Sequence, residues 1–225
     1  MRTLIRSMSA AVLALTLGAG YLVAQAPGNG NFQWYVGGQG GVTFFKTPAQ
    51  GRSGIPNFGG HTLIVAKRTG LMLSFDEAVG SNEQSSYTDA NGVQSVSFND
   101  IRRYSAVLMA FPIRAAAQPY LGIGYGIIHV VNPTPASGLA FQSDANELGS
   151  SGFGTFVGGL QFQVGRFMAF GQYQITSGAS QKTVTDASGA PVAFGRLLDG
   201  PTHTFSGGLR IGLGSAREDV RAGGY

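Results

Sequence analysis

Residues 32–45 read Phe32-Gln-Trp-Tyr-Val-Gly-Gly-Gln-Gly-Gly-Val-Thr-Phe-Phe45. The even positions are Phe32, Trp34, Val36, Gly38, Gly40, Val42 and Phe44, whereas the odd ones include Gln33, Gln39 and Thr43. One face is apolar and the other polar or small, the period of a β-strand between two different media. The pattern recurs over 202–214, where Phe205, Gly207, Leu209, Ile211 and Leu213 alternate with Thr204, Ser206, Gly208, Arg210 and Gly212. Over 152–164 it sets Phe156, Leu160, Phe162 and Val164 against Thr155, Gln161 and Gln163; over 167–177 it sets Phe167, Ala169, Tyr173 and Ile175 against Gln172, Gln174 and Thr176.

Four further segments carry the period less sharply. Strands are predicted over 58–66 and 71–78, joined by Lys67-Arg68-Thr69-Gly70 with Gly70 supplying a positive dihedral. A fifth-position strand over 119–131 alternates Leu121, Ile123, Tyr125 and Ile127 with Gly122, Gly124 and Gly126. In the fourth, over 95–113, Val107, Met109 and Phe111 compete with Tyr104, Leu108 and Ala110, so its two faces stay unassigned; a bulge near Arg102-Arg103 would reconcile them.

The connections alternate between long and short. Lys46–Asn57, Val79–Gln94, Asn132–Ser150 and Gly178–Gly200 are long and rich in Ser, Asn, Asp, Gly and Pro; Lys67–Gly70, Arg114–Gln118 and Gly165–Arg166 are short. Eight strands in this rhythm make an all-β, antiparallel up-and-down transmembrane β-barrel, with clipped turns at the periplasmic end and extended loops outside. A soluble barrel has no reason to sort its connections by length. The small, polar face also suits the narrow interior of an eight-stranded barrel, and Phe32, Trp34, Phe44, Phe45, Tyr120, Phe167 and Phe205 fall near strand ends, where interfacial girdles lie.

Composition bounds the alternatives. Charged residues make up 12% of the 225, about half the usual share, yet beyond residue 26 no apolar run approaches the roughly 18 residues of a helical span. Cys is absent, which excludes a disulfide framework and a cysteine-linked lipid anchor. The formal charge of +4 includes Arg2 and Arg6 of the leader and no Lys/Arg-dense stripe, so no nucleic-acid partner is expected. Residues 1–26 have a basic start, an apolar middle and Ala24-Gln25-Ala26, the organisation of a secretory signal peptide. Cleavage after Ala24 keeps Pro27 away from the scissile bond. The expected division is leader 1–26, barrel 27–214 and polar tail 215–225.

The runs Gln118-Pro-Tyr-Leu-Gly-Ile-Gly-Tyr-Gly126, Phe170-Gly-Gln-Tyr-Gln174 and Phe205-Ser-Gly-Gly-Leu-Arg-Ile-Gly-Leu213 make the mature chain resemble the small outer-membrane β-barrel proteins of the outer-membrane protein A, X and W type. The resemblance implies location in the cell outer membrane and insertion by the outer-membrane assembly machinery, which reads the last strand. Here Leu213 stands where such barrels usually close on an aromatic residue.

The chemistry-bearing residues are few. Asp76, Arg102, Arg103, Gln161, Gln172 and Arg210 are expected to form a polar network in the lumen, because buried charge is costly unless paired. His61, His129 and His203 are expected toward the loop ends of their strands. Asp199, His203 and Ser206 could be cast as a triad, but His203 and Ser206 differ in parity and face opposite ways. No catalytic, cofactor or metal site is expected. The sequence points to a filled, monomeric barrel acting through its structure and its loops on surface partners, outer-membrane lipid and lipopolysaccharide. A narrow conduit for small hydrophobic solutes is the alternative, as the resemblance to outer-membrane protein W allows, and a lipid A-modifying enzyme is less favoured.

Overall fold

The computed structural model describes residues 32–113, 117–138 and 141–216; the expected leader over 1–26 and the tail from 217 onward lie outside the described residues. Eight long strands make the wall: β1 (Phe32–Phe45), β2 (Ser53–Ala66), β3 (Thr69–Asp89), β4 (Gly92–Ala110), β5 (Ala117–Val131), β7 (Ser150–Val164), β8 (Phe167–Thr176) and β11 (His203–Ala216). Each pairs antiparallel with its chain neighbour in the wall, and β1 pairs with β11, so the ladder closes on itself. Closure satisfies every strand edge, the condition that a lipid-embedded sheet must meet.

The parity read from the sequence sets the two faces. Along β1, Trp34 and Val42 face out while Tyr35, Gln39 and Thr43 are buried inside; along β11, Phe205, Leu209 and Ile211 face out while Thr204, Ser206 and Arg210 are buried. In β4 the faces are resolved without a bulge at Arg102-Arg103, since the pairings to β3 and β5 run through both residues without a shift. Val107, Met109 and Phe111 point inward, and Tyr104 and Leu108 point outward. Both sides of β4 are apolar there because the lumen itself is apolar at the short-turn end.

Other features differ from the sequence expectation too: β2 begins at Ser53, within the expected 46–57 connection, and Phe45 and Tyr120, expected in the interfacial girdles, are buried in the inner clusters. The β2–β3 turn is the two-residue Lys67-Arg68, and the positive φ falls on Lys67 (53°) rather than on Gly70, which sits inside β3. The stretch Val79–Gln94 is not a loop: β3 and β4 continue as a paired hairpin to Asp89 and Gly92, past one register shift between Val79 and Glu83. Finally, β11 runs to Ala216 instead of ending at Gly214, with its irregularity opposite Trp34 and Tyr35 absorbed by Gly214 at φ 117°.

The other long connections fold onto that hairpin. β6 (Thr134–Pro135) pairs with β4, and β10 (Pro191–Gly195) joins β3 while β9 (Lys182–Thr185) joins β10. A short helix, α1 (Gln142–Leu148), packs against β6, β7, β9 and β10. Together they form a head over the long-loop end. Two apolar clusters bracket the lumen. One, under the head, includes Phe45, Ile101, Val130, Phe153, Leu148 and Leu197; the other, at the short-turn end, includes Leu63, Met72, Val107, Met109, Tyr120 and Met168.

Candidate functional site

The polar residues of the inward face lie between those two clusters. Of the six residues expected there, Asp76, Arg103, Gln161, Gln172 and Arg210 are buried inside the barrel. Arg102 is not: it faces out and donates from Nη2 to Glu77 Oε1 at 2.8 Å. Adjacent residues of a strand take opposite faces, so with Arg103 inside Arg102 must lie outside.

Arg103 crosses the lumen. It leaves β4 and donates from Nη1 to Thr204 Oγ1 on β11 at 2.7 Å, and β11 is the strand diametrically opposite in the order of the wall. Its Nη2 stands 3.9 Å from Asp76 Oδ2, and Asp76 Oδ1 in turn accepts from Gln39 Nε2. Gln39, Gln172 and Tyr120 continue the chain of hydrogen bonds toward the short-turn end, with Tyr120 donating to Gln172 Oε1 at 3.1 Å.

Arg210 has no exposed surface and no carboxylate partner among the described residues. It donates from Nε to His61 Nε2 and from Nη1 to Gln161 Oε1, both at 2.7 Å, and its guanidinium lies 3.9 Å from the centre of the Phe170 ring. An aromatic face at that range offsets part of the cost of burying a cation, about 2 kcal/mol when desolvated. The sequence expectation had set His61 toward the loop end of β2. It stands instead beside Gly37, which leaves room for it: a Cβ on Gly37 would meet His61 Nε2 and Arg210 Cγ at 2.8 Å. This site is a structural core. The guanidinium is occupied on both edges and on one face, and nothing in it presents a free nucleophile.

On the outer wall, Glu77, Arg102, His129 and Ser150 form one row across β3, β4, β5 and β7. His129 Nδ1 and Ser150 Oγ are 2.6 Å apart, a serine–histidine pair that parity alone did not bring to notice. A triad needs a carboxylate to orient the base. None bonds His129 among the described residues, and the acid in the row, Glu77, is engaged by Arg102. His203 Nδ1 meets Tyr173 Oη at 2.6 Å on the outer face, Ser206 points into the lumen, and Asp199 is held by Arg196 and Lys46 rather than by His203. The triad considered from the sequence is therefore dispersed. Among the described residues no group of three or more His, Cys, Asp or Glu is placed to hold a metal ion.

In the head, four carboxylates converge on a cavity of about 550 Å³ between the β3–β4 turn, α1 and the β9–β10 hairpin. They are Asp89, Asp144, Glu147 and Asp186. Loop composition gave no sign of this, because the four come from three separate connections.

Among solved structures, the chain is similar in fold to Neisserial surface protein A, with a TM-score of 0.51 at 9% identity over 79% of this chain and 96% of that one. Ail, the attachment invasion locus protein of Yersinia pestis, solved in complex with the heparin analogue sucrose octasulfate, aligns at a TM-score of 0.36 and 12% identity over 81% of this chain and 99% of that one. No family model and no curated protein matches the sequence.

Proposed function

We propose that this chain is an outer-membrane barrel whose interior is sealed and whose activity is that of a surface-interaction protein, exercised through the loop head. The carrying observation is an inversion of polarity. Ile123, Leu108 and Leu209 are 69%, 65% and 59% exposed on the outside, whereas Arg103 and Arg210 are 2% and 0% exposed within. Water would select the opposite arrangement, and a contiguous apolar wall of this extent needs a hydrocarbon partner. On β3 the apolar band ends near Val79, where Glu77 and Arg102 already mark the polar boundary. The hairpin beyond it stands clear of the lipid.

Two apolar clusters close the lumen above and below its polar layer, which supports a structural barrel over a conduit. The serine–histidine pair on the wall lacks an orienting acid, so no lipid chemistry is assigned to it. On this reading the chain is exported by its leader, assembled as a monomer through β11 and anchored among outer-leaflet lipopolysaccharide, with the head presented outward.

Conductance of the refolded protein in planar bilayers tests the sealed interior. The expected trace is flat, and steady single-channel steps would replace this reading with the conduit for small hydrophobic solutes. Electrophoresis with and without boiling checks the closed wall: the unheated barrel should run at a different apparent mass.

A further inference from the structure

We propose that the short-turn rim of the barrel holds the phosphate of an anionic glycerophospholipid, in the leaflet opposite the head. This rests on the reading of the wall as lipid-embedded with the head presented outward. The rim carries Lys67 and Arg68 in the β2–β3 turn and Arg166 in the β7–β8 turn, all three exposed. The two turns stand on either side of the seam where β1 meets β11. The Arg166 carbonyl accepts from the Gly212 amide of β11 at 2.9 Å, and Lys67 follows Ala66, the partner of Phe32 at the start of β1. The three cations thus bracket one arc of the rim, from β8 through β11 and β1 to β2.

Among the described residues no carboxylate stands at this rim. Asp76 lies in the lumen, Glu77 and Asp100 lie on the upper wall, and the others lie in the hairpin and connections of the head. None of Lys67, Arg68 and Arg166 enters a salt bridge among the described residues, whereas Lys46, Arg102 and Arg196, toward the other end, each do. Cations gathered without a counterion repel one another. A phosphodiester at the rim relieves that repulsion.

Two independent features point to a lipid phosphate at that level. The residues flanking the arc are apolar and outward: Val164 and Phe167 on either side of Gly165-Arg166, and Trp34 and Leu213 on the intervening strands. The cations therefore begin where the hydrocarbon band ends, at the depth of the headgroups. Lys67, moreover, adopts a φ of 53°, a conformation that glycine and asparagine take more readily in a two-residue turn. The backbone does not call for lysine there; a charge at the rim does. A guanidinium fork meets two phosphate oxygens at once, and the lysine ammonium adds a point charge beside it.

The test uses the mature chain refolded into vesicles of equimolar phosphatidylglycerol and phosphatidylcholine, with the acyl chains of one or the other brominated. Bromine quenches tryptophan on contact, and the single tryptophan, Trp34, lies within the arc. We expect brominated phosphatidylglycerol to quench more strongly than brominated phosphatidylcholine, by a margin that corresponds to about a threefold local enrichment, and added salt to reduce it. The preference should vanish in Lys67→Gln/Arg68→Gln/Arg166→Gln and persist in Lys46→Gln/Arg52→Gln at the head end. Heat-dependent gel migration confirms that each variant is folded. Equal quenching by the two lipids in the parent, a preference that survives the triple variant, or its loss in the head-end variant would each overturn the proposal. Absence of quenching by either lipid would instead refute the lipid-embedded wall on which it rests.

Discussion

Gly207 and Gly208 are neighbours in β11 that face opposite ways, so adding one methyl group to each tests the assignment of the two faces directly. Gly207 faces out, and a Cβ there would meet nothing closer than the Phe170 carbonyl oxygen at 3.4 Å. Gly208 faces in, and a Cβ there would overlap the Gly38 carbonyl oxygen and stand 2.9 Å from Gln39 Cα, both backbone atoms of the paired strand β1. Relief at 208 requires β1 and β11 to separate at the seam that closes the barrel. The cost exceeds ordinary overpacking, about 1–3 kcal/mol, because no flexible side chain can yield. At 207 the sign reverses. The methyl group adds apolar surface toward hydrocarbon, worth about 0.8 kcal/mol, and removes glycine's excess chain entropy, about 0.5–1 kcal/mol. Gly208→Ala should therefore destabilise by more than about 3 kcal/mol and Gly207→Ala stabilise by about 1–2 kcal/mol. Trp34 is the single tryptophan and faces out, so its emission in lipid vesicles reports urea unfolding of both variants. If Gly207→Ala proved the more damaging of the two, the inside and outside of the wall would have to be exchanged.

Two further outcomes follow from the lumen and the head. Asp76→Asn removes the carboxylate beside the fully buried Arg103 and should cost about 3–5 kcal/mol; the same urea titration measures it, and a loss under about 1 kcal/mol would refute the pairing. Asp186 has its carboxyl held below its ordinary value of 3.8, first by the Ser188 side chain and then by the Ala190 amide. A depressed pKa contributes stability that is full above 3.8 and is lost as the pH falls through the lower folded value. Amide exchange in the β9–β10 hairpin should therefore quicken relative to the barrel as the solution is acidified below that point; a uniform response would count against it.

How far the sequence could be read depended on contrast between the faces. In β1 and β11 lipid lies on one side and a glutamine- and threonine-lined lumen on the other, so alternation identified both the strand and its orientation. In β4 the inward Val107, Met109 and Phe111 plug the lumen, so apolar residues stand on both sides and the period vanishes from the pattern, though not from the backbone. The β3–β4 hairpin failed for the opposite reason. Between Gly80 and Gln94 its side chains are mostly polar, and serine, asparagine and glutamine in a strand have the composition of a loop. Arg102 was placed in the lumen because nothing in Arg102-Arg103 says which of the pair turns inward; the parity of Tyr104, once fixed, decides it.

The lumen's chemistry bears on where function can reside. A polar layer enclosed by a lipid-backed wall and capped by two apolar clusters cannot draw on water through its sides, so its donors and acceptors depend on partners within, and Nδ1 of His61, Nη2 of Arg103 and Oγ of Ser206 are left without a hydrogen bond there. Arg103 is tied to the far wall through Thr204, Arg210 is clasped by His61, Gln161 and Phe170, and Asp76 is shared between Gln39 and Arg103. Changing any of these to serve a solute would leave a neighbour unpaired in a medium that penalises it by about 1–3 kcal/mol per group. The head is under no such constraint. Its connections pack on an apolar cluster of their own that includes Tyr87, Val96, Phe98, Val184 and Leu197, and substitutions at its rim leave the barrel's ladder untouched. Because the wall's constraints stop at the end of the lumen, the loops can change without disturbing it, which is why the proposed interaction is placed in the head rather than in the barrel.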